Sequence, residues 1–351
     1  MKSIYLPLEE AQNILWETEY KKEGKVFWAI PSEVILDTVK FDLREKSEIN
    51  APSFIKKWFL SLRAISLTSM AIPTFHIFTI YFFMGKTFNT FNAIAAFVIP
   101  CLLLLATNVL NDVYDHLKLI DLPGSIGGSG VIQKGWIKPR ELKSFAYTLL
   151  VIAAILAIPI LLSSPIFMGI LAVVTLIAVL GYSGKPFSFK YKALGDVLVF
   201  LCCGPLLTLG YGYAVFQNAG SLEVILGTIY GLAACAILHA NNINDIEADT
   251  SRGAKTLASL IGFKGSITFM ALLYTFTYFA IFLLYLNNFT SLFQILPSLI
   301  ALFPILRLLN ALYKAKKCND LSIQSIRFDT PVIHLLLGVL LCLGHIFMRK
   351  F

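Results

Sequence analysis

Long apolar stretches, separated by short polar and charged segments, dominate the chain from Ser61 onward. Each stretch approaches the roughly 20 residues that a helix needs to span the hydrocarbon core of a bilayer. The stretches lack the short alternating segments that are typical of transmembrane β-strands. The pattern predicts an all-α, polytopic membrane bundle of about nine spans, at residues 64–84, 92–110, 143–163, 165–182, 194–216, 222–240, 267–287, 290–313 and 331–348.

The first 55 residues differ from the rest of the chain, because they mix charged and apolar residues without any long apolar run. A segment of this kind is not a cleaved signal peptide. We divide the chain into an N-terminal cytoplasmic or interfacial extension (1–55) and a transmembrane domain (56–351). Aromatic residues such as Trp16 and Trp28 are compatible with a position at the membrane surface, and a disordered or docking segment is the alternative.

The composition agrees with a membrane protein, since 57% of the residues are hydrophobic and only 14% are charged. A soluble protein would carry roughly 25% charged residues. Lysine and arginine concentrate in the loops that follow the even-numbered spans, which predicts that these loops and the N-terminus are cytoplasmic. The net charge of +8 therefore reflects topology, and no nucleic-acid partner is predicted. The six cysteines contain no C-x-x-C pair, which argues against a zinc site.

Two clusters of amides and carboxylates end spans on the same predicted side of the membrane. The first is "NVLNDVYDHLKLID" (108–121), and the second is "NNINDIEADTSRGAKTLA" (241–258). Both begin with the spacing Asn-x-x-Asn-Asp. Ionisable residues at membrane depth are costly and mark functional sites by default, so two matched clusters indicate one shared site.

The spacing within the clusters predicts a metal site, because residues four apart stack on one helix face. Asn111 and Asp115 form one row, and Asn241, Asp245 and Asp249 form a second. Two facing acidic rows repel each other in a low dielectric, and cations relieve that repulsion. Oxygen ligands without His or Cys favour Mg²⁺, which commonly bridges carboxylates to phosphate oxygens. We predict that Asn111, Asp115, Asp245 and Asp249 bind Mg²⁺. The expected ligand of this metal site is a diphosphate with a lipid tail.

Basic residues accompany both clusters and are predicted to bind the diphosphate. Lys118 follows the first cluster, Arg252 and Lys255 belong to the second, and Lys190 lies in the loop between the fourth and fifth spans. The alternative is that the acidic residues are solvated helix caps and the lysines only mark topology. The matched spacing and sidedness of the two clusters favour the site.

The two clusters resemble the signature motifs of the UbiA superfamily of intramembrane prenyltransferases. "NDVYD" is similar to the N-D-x-x-D motif, and "DIEAD" is similar to the D-x-x-x-D motif. The resemblance runs from about Ser61 to the C-terminus. "DTSRGAKTLASLIG" and "KYKALGDVLVFLCCGP" resemble the menaquinone branch, the 1,4-dihydroxy-2-naphthoate prenyltransferases. Gly130 and Asn244 stand where that branch usually carries arginine.

The resemblance implies Mg²⁺-dependent transfer of a prenyl group from a polyprenyl diphosphate to an aromatic acceptor such as 1,4-dihydroxy-2-naphthoate, within the lipid bilayer. It implies catalytic roles for Asp112, Asp115, Asp121, Asp245 and Asp249, and substrate contacts from Asn108, Asn111 and Asn241. Asp112 or Asp121 is the expected proton acceptor. A terpene cyclase or lipid prenyltransferase on the same scaffold is the alternative. A transporter is disfavoured, because transporter sites lie near the bilayer midplane.

Overall fold

The computed structural model describes residues 2–124 and 128–347. Nine helical segments within these ranges are long and apolar enough to cross a membrane, which confirms the predicted all-α bundle. The segments are Ala64–Phe83, Thr90–Leu117, Pro139–Ser163, Pro165–Ser183, Gly195–Phe216, Ser221–Asn244, Leu257–Leu286, Leu292–Lys314 and Leu321–Phe347.

The elements comprise four strands and fourteen α-helices, and short 3₁₀ turns adjoin the α-helices in several of the spans. The strands are β1 (Lys2–Pro7), β2 (Glu19–Lys22), β3 (Lys25–Ile35) and β4 (Thr38–Arg44). The helices are α1 (Leu8–Glu17), α2 (Phe54–Leu62), α3 (Thr68–Phe83), α4 (Thr90–Leu117), α5 (Pro139–Ser163), α6 (Pro165–Ser183), α7 (Gly195–Cys202), α8 (Pro205–Phe216), α9 (Ser221–Asn244), α10 (Ile246–Ser251), α11 (Leu257–Leu286), α12 (Leu292–Ile295), α13 (Leu302–Lys314) and α14 (Ile326–Phe347).

Helix α9 forms the centre of the bundle and contacts α3, α7, α8, α11 and α14. It is the most buried of the nine spans, with 67% of its most apolar window inside the protein. Its glycines permit this packing: a Cβ atom on Gly231 would lie 2.6 Å from the Phe200 carbonyl oxygen. Small residues allow membrane helices to approach closely in this way. The second acidic cluster therefore begins in the last turn of the most buried helix of the bundle.

Helix α4 extends beyond the predicted end of its span at residue 110 and continues to Leu117. The whole first motif is therefore helical. The extension is stable in spite of its polar residues because Asn111, Asp112 and Asp115 are buried against other parts of the protein. The hydropathy pattern placed the end of the span where the side chains become polar, but buried polar side chains continue the helix for two more turns.

The N-terminal segment folds into a four-stranded antiparallel sheet with the strand order β1-β4-β3-β2. Strand β4 buries every second residue, which is the period of a strand with one face in a core. Helix α1 covers this face, and Leu15, Phe27 and Phe41 pack in the resulting core. Leu119, from the loop between α4 and α5, completes the same core. The sheet is thus joined to the loop that follows the first acidic motif.

Hydrogen bonds also fix the sheet to this loop. The Trp28 indole Nε1 donates to the Gly135 carbonyl oxygen at 2.6 Å. The His116 Nε2 atom lies 3.0 Å from the Leu15 carbonyl oxygen. Gly135 has φ +71°, and a Cβ atom there would meet the Trp28 ring at 2.5 Å. The close approach of the two segments therefore requires glycine at this position.

Replacing Trp28 by phenylalanine is expected to loosen the loop, because the ring remains but the bond to Gly135 is lost. The expected loss of stability is about 1 kcal/mol. Limited proteolysis in detergent should cut the α4–α5 loop faster in this variant. Trp16→Phe is the matched control, since the Trp16 indole donates no hydrogen bond within the described residues. Equal proteolysis of both variants and the unaltered protein would contradict a fixing role for Trp28.

Candidate functional site

A cavity of about 190 Å³ lies where α4 and α9 end on the same side of the bundle. We name it the carboxylate cavity, because four of its lining residues are Asp115, Asp121, Asp245 and Asp249. Predicted residues that also line it are Asn108, Asn111, Lys190 and Asn241. The structure thus brings residues from both acidic clusters to one place.

On the α4 side, Asp115 is the most connected carboxylate. The Asn111 side-chain Nδ2 donates to Asp115 Oδ2 at 2.8 Å, so these residues stack one helical turn apart as predicted. The Lys190 ammonium donates to the same oxygen at 2.6 Å. The Tyr191 hydroxyl donates to Asp115 Oδ1 at 2.7 Å. Asp115 is therefore held in one orientation by three donors from two elements.

On the α9 side, the predicted row of Asn241, Asp245 and Asp249 is present although the helix breaks at Asp245. Helix α9 ends at Asn244, and Asp245 caps it with φ −101° and ψ 3° before α10 begins. The Asp249 amide still donates to the Asp245 carbonyl oxygen at 2.8 Å, which keeps the one-turn spacing. The Thr256 hydroxyl donates to Asp249 Oδ2 at 3.1 Å. Asn241, Asp245 and Asp249 consequently all line the carboxylate cavity.

The carboxylates of the cavity are short of positive charge. Burial raises the pKa of Asp249 to about 7, although Lys190 opposes the change. Burial raises the pKa of Asp245 to about 6 against the same opposition. Burial would lower the pKa of Lys190, but Asp115 raises it above its ordinary value. Four carboxylates face only Lys190 and Arg63 among the lining residues, so added cations would be stabilised here.

The donor set fits Mg²⁺ better than it fits a transition metal, because the side chains offer oxygen atoms only. Within residues 2–124 and 128–347, no three His, Cys, Asp or Glu side chains are grouped so as to hold a metal by themselves. Mg²⁺ usually takes one or two carboxylates, and waters and substrate phosphates complete its shell. The Asn111–Asp115 pair and the Asp245–Asp249 pair fit that requirement, one on each side of the cavity.

Asn108 and Asp112 connect the motif helix to its surroundings. The Asn108 Nδ2 donates to the Ser66 hydroxyl at 2.8 Å, which ties α4 to the start of the first span. Asp112 is buried outside the lining of the carboxylate cavity and accepts a hydrogen bond from the Ser129 amide at 2.9 Å. Arg63 lies 3.6 Å from its other oxygen. Asp112 therefore orients the α4–α5 loop, whereas Asp121 on that loop reaches the cavity.

Two predicted diphosphate-binding residues lie behind the cavity wall. The Lys118 ammonium lies 3.2 Å from the centre of the Tyr191 ring. Burial lowers the pKa of Lys118 to about 8, although Asp115 opposes the change. The Arg252 guanidinium donates to the Ile120 carbonyl oxygen, next to Asp121. Both cations add positive potential near the site without lining the cavity.

The fourth predicted cation, Lys255, has an exposed side chain that is not among the lining residues. The backbone of Lys255 has a structural role instead. The Ala193 amide donates to the Lys255 carbonyl oxygen at 2.6 Å, and Lys192 pairs with Lys255 in an isolated parallel bridge. This bridge joins the loop that carries Lys190 to the loop that follows Asp249.

Sequence patterns did not indicate several contributors to the site. Arg63 has φ +53° at the junction of α2 and the first span, a single basic residue without a periodic signal. Tyr191 lies between two lysines in a loop, and only the fold turns its hydroxyl toward Asp115. The Ser183 hydroxyl donates to Asn111 Oδ1 at 2.9 Å, from the end of a span that reads as uniformly apolar.

A second cavity, of about 280 Å³, extends between α4, α5, α6 and α8. We name it the apolar cavity, since alanine and leucine side chains dominate its lining. It shares Pro100, Leu103, Thr175 and Cys202 with the carboxylate cavity. The two spaces are neighbours, so a molecule with a charged head and an apolar tail can occupy both.

Comparison with known sequences identifies similar proteins. The profile described as "UbiA prenyltransferase family" matches residues 70–326. The 1,4-dihydroxy-2-naphthoate octaprenyltransferase of Haemophilus influenzae is 32% identical over 238 residues, which are 64% of this chain and 75% of that protein. The enzyme of the same name from Bacillus subtilis is 29% identical over 177 residues, or 50% of this chain. The match covers 57% of the Bacillus protein, so the chain spans little more than half of that relative.

Solved structures share the fold at low sequence identity. A UbiA homolog from Aeropyrum pernix superposes with a TM-score of 0.58 at 14% identity, over 82% of this chain and 98% of that chain. A UbiA homolog from Archaeoglobus fulgidus, bound to DMAPP and Mg²⁺, superposes with a TM-score of 0.55 at 16% identity. That match covers 81% of this chain and 99% of the homolog.

Proposed function

Because the chain belongs to the UbiA prenyltransferase family, we propose that it transfers a prenyl group from a polyprenyl diphosphate to an aromatic acceptor of the 1,4-dihydroxy-2-naphthoate type. The observation that carries the proposal is the pair of facing acidic rows beside the apolar cavity. The names of the Haemophilus and Bacillus relatives support the choice of acceptor. The proposed setting is quinone biosynthesis.

The donor is proposed to lie with its diphosphate in the carboxylate cavity and its tail in the apolar cavity. Asn111, Asp115, Asp245 and Asp249 would hold Mg²⁺, which would neutralise the diphosphate and promote its departure. Lys190 and Arg63 line the cavity and would bind diphosphate oxygens directly. Lys118, Arg252 and Lys255 would act through the positions of the surrounding loops.

The proposed reaction breaks the bond between the allylic carbon and the diphosphate oxygen, whose electron pair leaves with the diphosphate. The allylic carbon then bonds to an electron-rich ring carbon of the acceptor. Asp121 is proposed to take up the proton released by the acceptor, because its carboxylate lines the cavity while Asp112 is engaged by Ser129. Preorganised charges around the leaving group supply most of the rate enhancement in such a site.

The nine spans support an integral, multi-pass membrane protein. We propose that the carboxylate cavity faces the cytoplasm, because the loops beside it carry the excess of lysine and arginine. Water-soluble acceptors and released diphosphate would then exchange with the cytoplasm. The prenylated product would remain in the bilayer, to which its tail confines it.

The proposal is tested with purified protein in nanodiscs, supplied with Mg²⁺, a polyprenyl diphosphate and 1,4-dihydroxy-2-naphthoate. We expect diphosphate release together with a prenylated naphthalene product, measured by mass spectrometry. Removal of Mg²⁺ by chelation should stop both, and added Mg²⁺ should restore them. Release of diphosphate with a cyclic terpene and no conjugate would replace this proposal by a terpene cyclase. No release with any donor from folded protein would refute prenyl transfer.

A further inference from the structure

A third cavity, of about 570 Å³, lies between the N-terminal sheet and the bundle. We name it the sheet-side cavity and define it by Arg44, Lys134, Trp136 and Arg327, which are among its lining residues. Arg44 ends strand β4, Lys134 and Trp136 belong to the α4–α5 loop, and Arg327 lies in α14. The N-terminal sheet, which precedes the segment matched by the family profile, therefore supplies part of one wall.

The sheet-side cavity adjoins the carboxylate cavity. Asp121 and Gly128 line both spaces, so the two are separated by little more than these residues. A Cβ atom on Gly128 would lie 2.5 Å from Asp121 Oδ2, so a larger residue there would press on that carboxylate. Small molecules in the sheet-side cavity would therefore reach the reacting groups at Asp121.

Two cations of the sheet-side cavity, Arg44 and Lys134, lack anionic partners among the described residues, whereas Arg327 is attracted by the carboxylates of Asp245 and Asp121. Arg44, Lys134 and Arg327 form no ion pair with any described residue. The Arg44 Nε atom is buried and has no hydrogen-bond partner among those residues. Glu48 lines the cavity but accepts a hydrogen bond from the Glu45 amide at 3.0 Å. An unpaired buried donor such as Arg44 Nε is costly, and an anionic ligand would satisfy it. The exposed Lys134 ammonium would add its charge to the attraction.

An aromatic ring lies next to Lys134. The Lys134 ammonium lies 4.7 Å from the centre of the Trp136 ring. The Trp136 indole donates to the Asn50 carbonyl oxygen at 3.1 Å, which fixes the ring. A cation beside a fixed aromatic face suits a flat, anionic, aromatic molecule. A polyprenyl diphosphate fits less well, because its tail needs an apolar space and the apolar cavity already offers one.

We propose that the sheet-side cavity binds the aromatic acceptor, with Arg44 and Lys134 contacting its carboxylate, so that the N-terminal sheet forms part of the acceptor site. This inference rests on the proposed function for the identity of the acceptor. It gives the sheet a direct part in substrate binding. The acceptor would pass from this cavity to the carboxylate cavity at Asp121.

The test compares Arg44→Gln and Lys134→Gln with the unaltered protein in nanodiscs. Each variant should raise the KM for 1,4-dihydroxy-2-naphthoate about tenfold, the loss expected for one charge-assisted contact. The KM for the polyprenyl diphosphate and the kcat should stay unchanged. Lys22→Gln is the matched control, since Lys22 is an exposed cation of the same sheet outside the cavity. Arg44→Lys, which keeps the charge, should recover much of the lost affinity.

A neutral acceptor, 1,4-dihydroxynaphthalene, separates a carboxylate contact from a general effect on the site. Its KM should be the same in the unaltered protein and in both glutamine variants. An increased KM for the donor alone would overturn the proposal in favour of a path for diphosphate. Unchanged kinetics for both substrates would overturn it as well.

Equilibrium binding of 1,4-dihydroxy-2-naphthoate without donor, followed by titration calorimetry, keeps this inference distinct from the proposed function. Weaker binding in both glutamine variants supports the sheet-side cavity even if the unaltered protein transfers no prenyl group. Unaltered binding refutes it even if prenyl transfer is observed. If Arg44→Gln fails to fold, Lys134→Gln decides the matter alone, because Lys134 lies on a loop outside the sheet.

Discussion

Replacing Asp115 by asparagine is expected to lower the rate of prenyl transfer by about a thousandfold, the loss seen when one preorganised charge is removed from such a site. Asp115 lines the carboxylate cavity and accepts hydrogen bonds from Asn111, Lys190 and Tyr191. Asparagine keeps the shape of the side chain but removes its charge. The variant should therefore bind Mg²⁺ and the donor diphosphate too weakly to promote ionisation, while the helix around it stays intact.

The measurement is the rate of diphosphate release at saturating donor, together with the thermal midpoint of unfolding in nanodiscs. Asp37→Asn is the matched control, because Asp37 is an exposed residue in the turn between β3 and β4. It should retain full activity. If Asp115→Asn is folded and releases diphosphate at the original rate, Asp115 has no part in the proposed metal site.

Replacing Lys190 by methionine is expected to slow the reaction about a hundredfold, because the leaving diphosphate loses a cationic partner. The variant should also lose about 3 kcal/mol of stability without ligands, since Asp115 would keep a buried charge without its partner. The Lys190 side chain is 13% exposed, and that of Asp115 is 4% exposed. Methionine keeps a long unbranched side chain, one atom shorter than that of lysine, so the main change is the loss of the charge.

The Lys190→Met prediction is checked by kcat and by chemical denaturation in detergent. Lys192→Met is the control, because Lys192 is exposed in the same loop. The double variant Asp115→Asn/Lys190→Met should be less destabilised than the sum of the single variants, since neither charge is then left unpaired. Additive losses of stability would show that the two residues do not act as a pair.

Hydrophobic patterning predicted the spans well because bilayer thickness fixes the length of a crossing helix. The spacing of the acidic residues predicted which of them meet in the carboxylate cavity, because Asn111–Asp115 and Asp245–Asp249 each keep a one-turn contact. The row from Asn241 to Asp249 was predicted on the condition that the helix continues that far. The chain instead breaks at Asp245 and restores the register in α10.

The N-terminal sheet was not predicted from its pattern, and its core includes Leu119 from a distant part of the chain. The position of the Lys255 side chain outside the carboxylate cavity could not be predicted either. The sequence does not indicate where the side chain of a basic loop residue points. In the structure, the bridge between Lys255 and Lys192 determines the course of the backbone there. Arg63 was missed as a site residue because its approach to Asp112 depends on the left-handed turn after α2.

The presence of Leu119 in the core of the N-terminal sheet has a consequence for the order of events during synthesis. Strands β1 to β4 leave the ribosome before the nine described spans, but Leu119, which completes their core, follows only after α3 and α4. The nascent sheet can pack against α1 at once, but its core lacks Leu119 until the second span has been made. The core of the sheet is therefore completed only after the first two spans have been made.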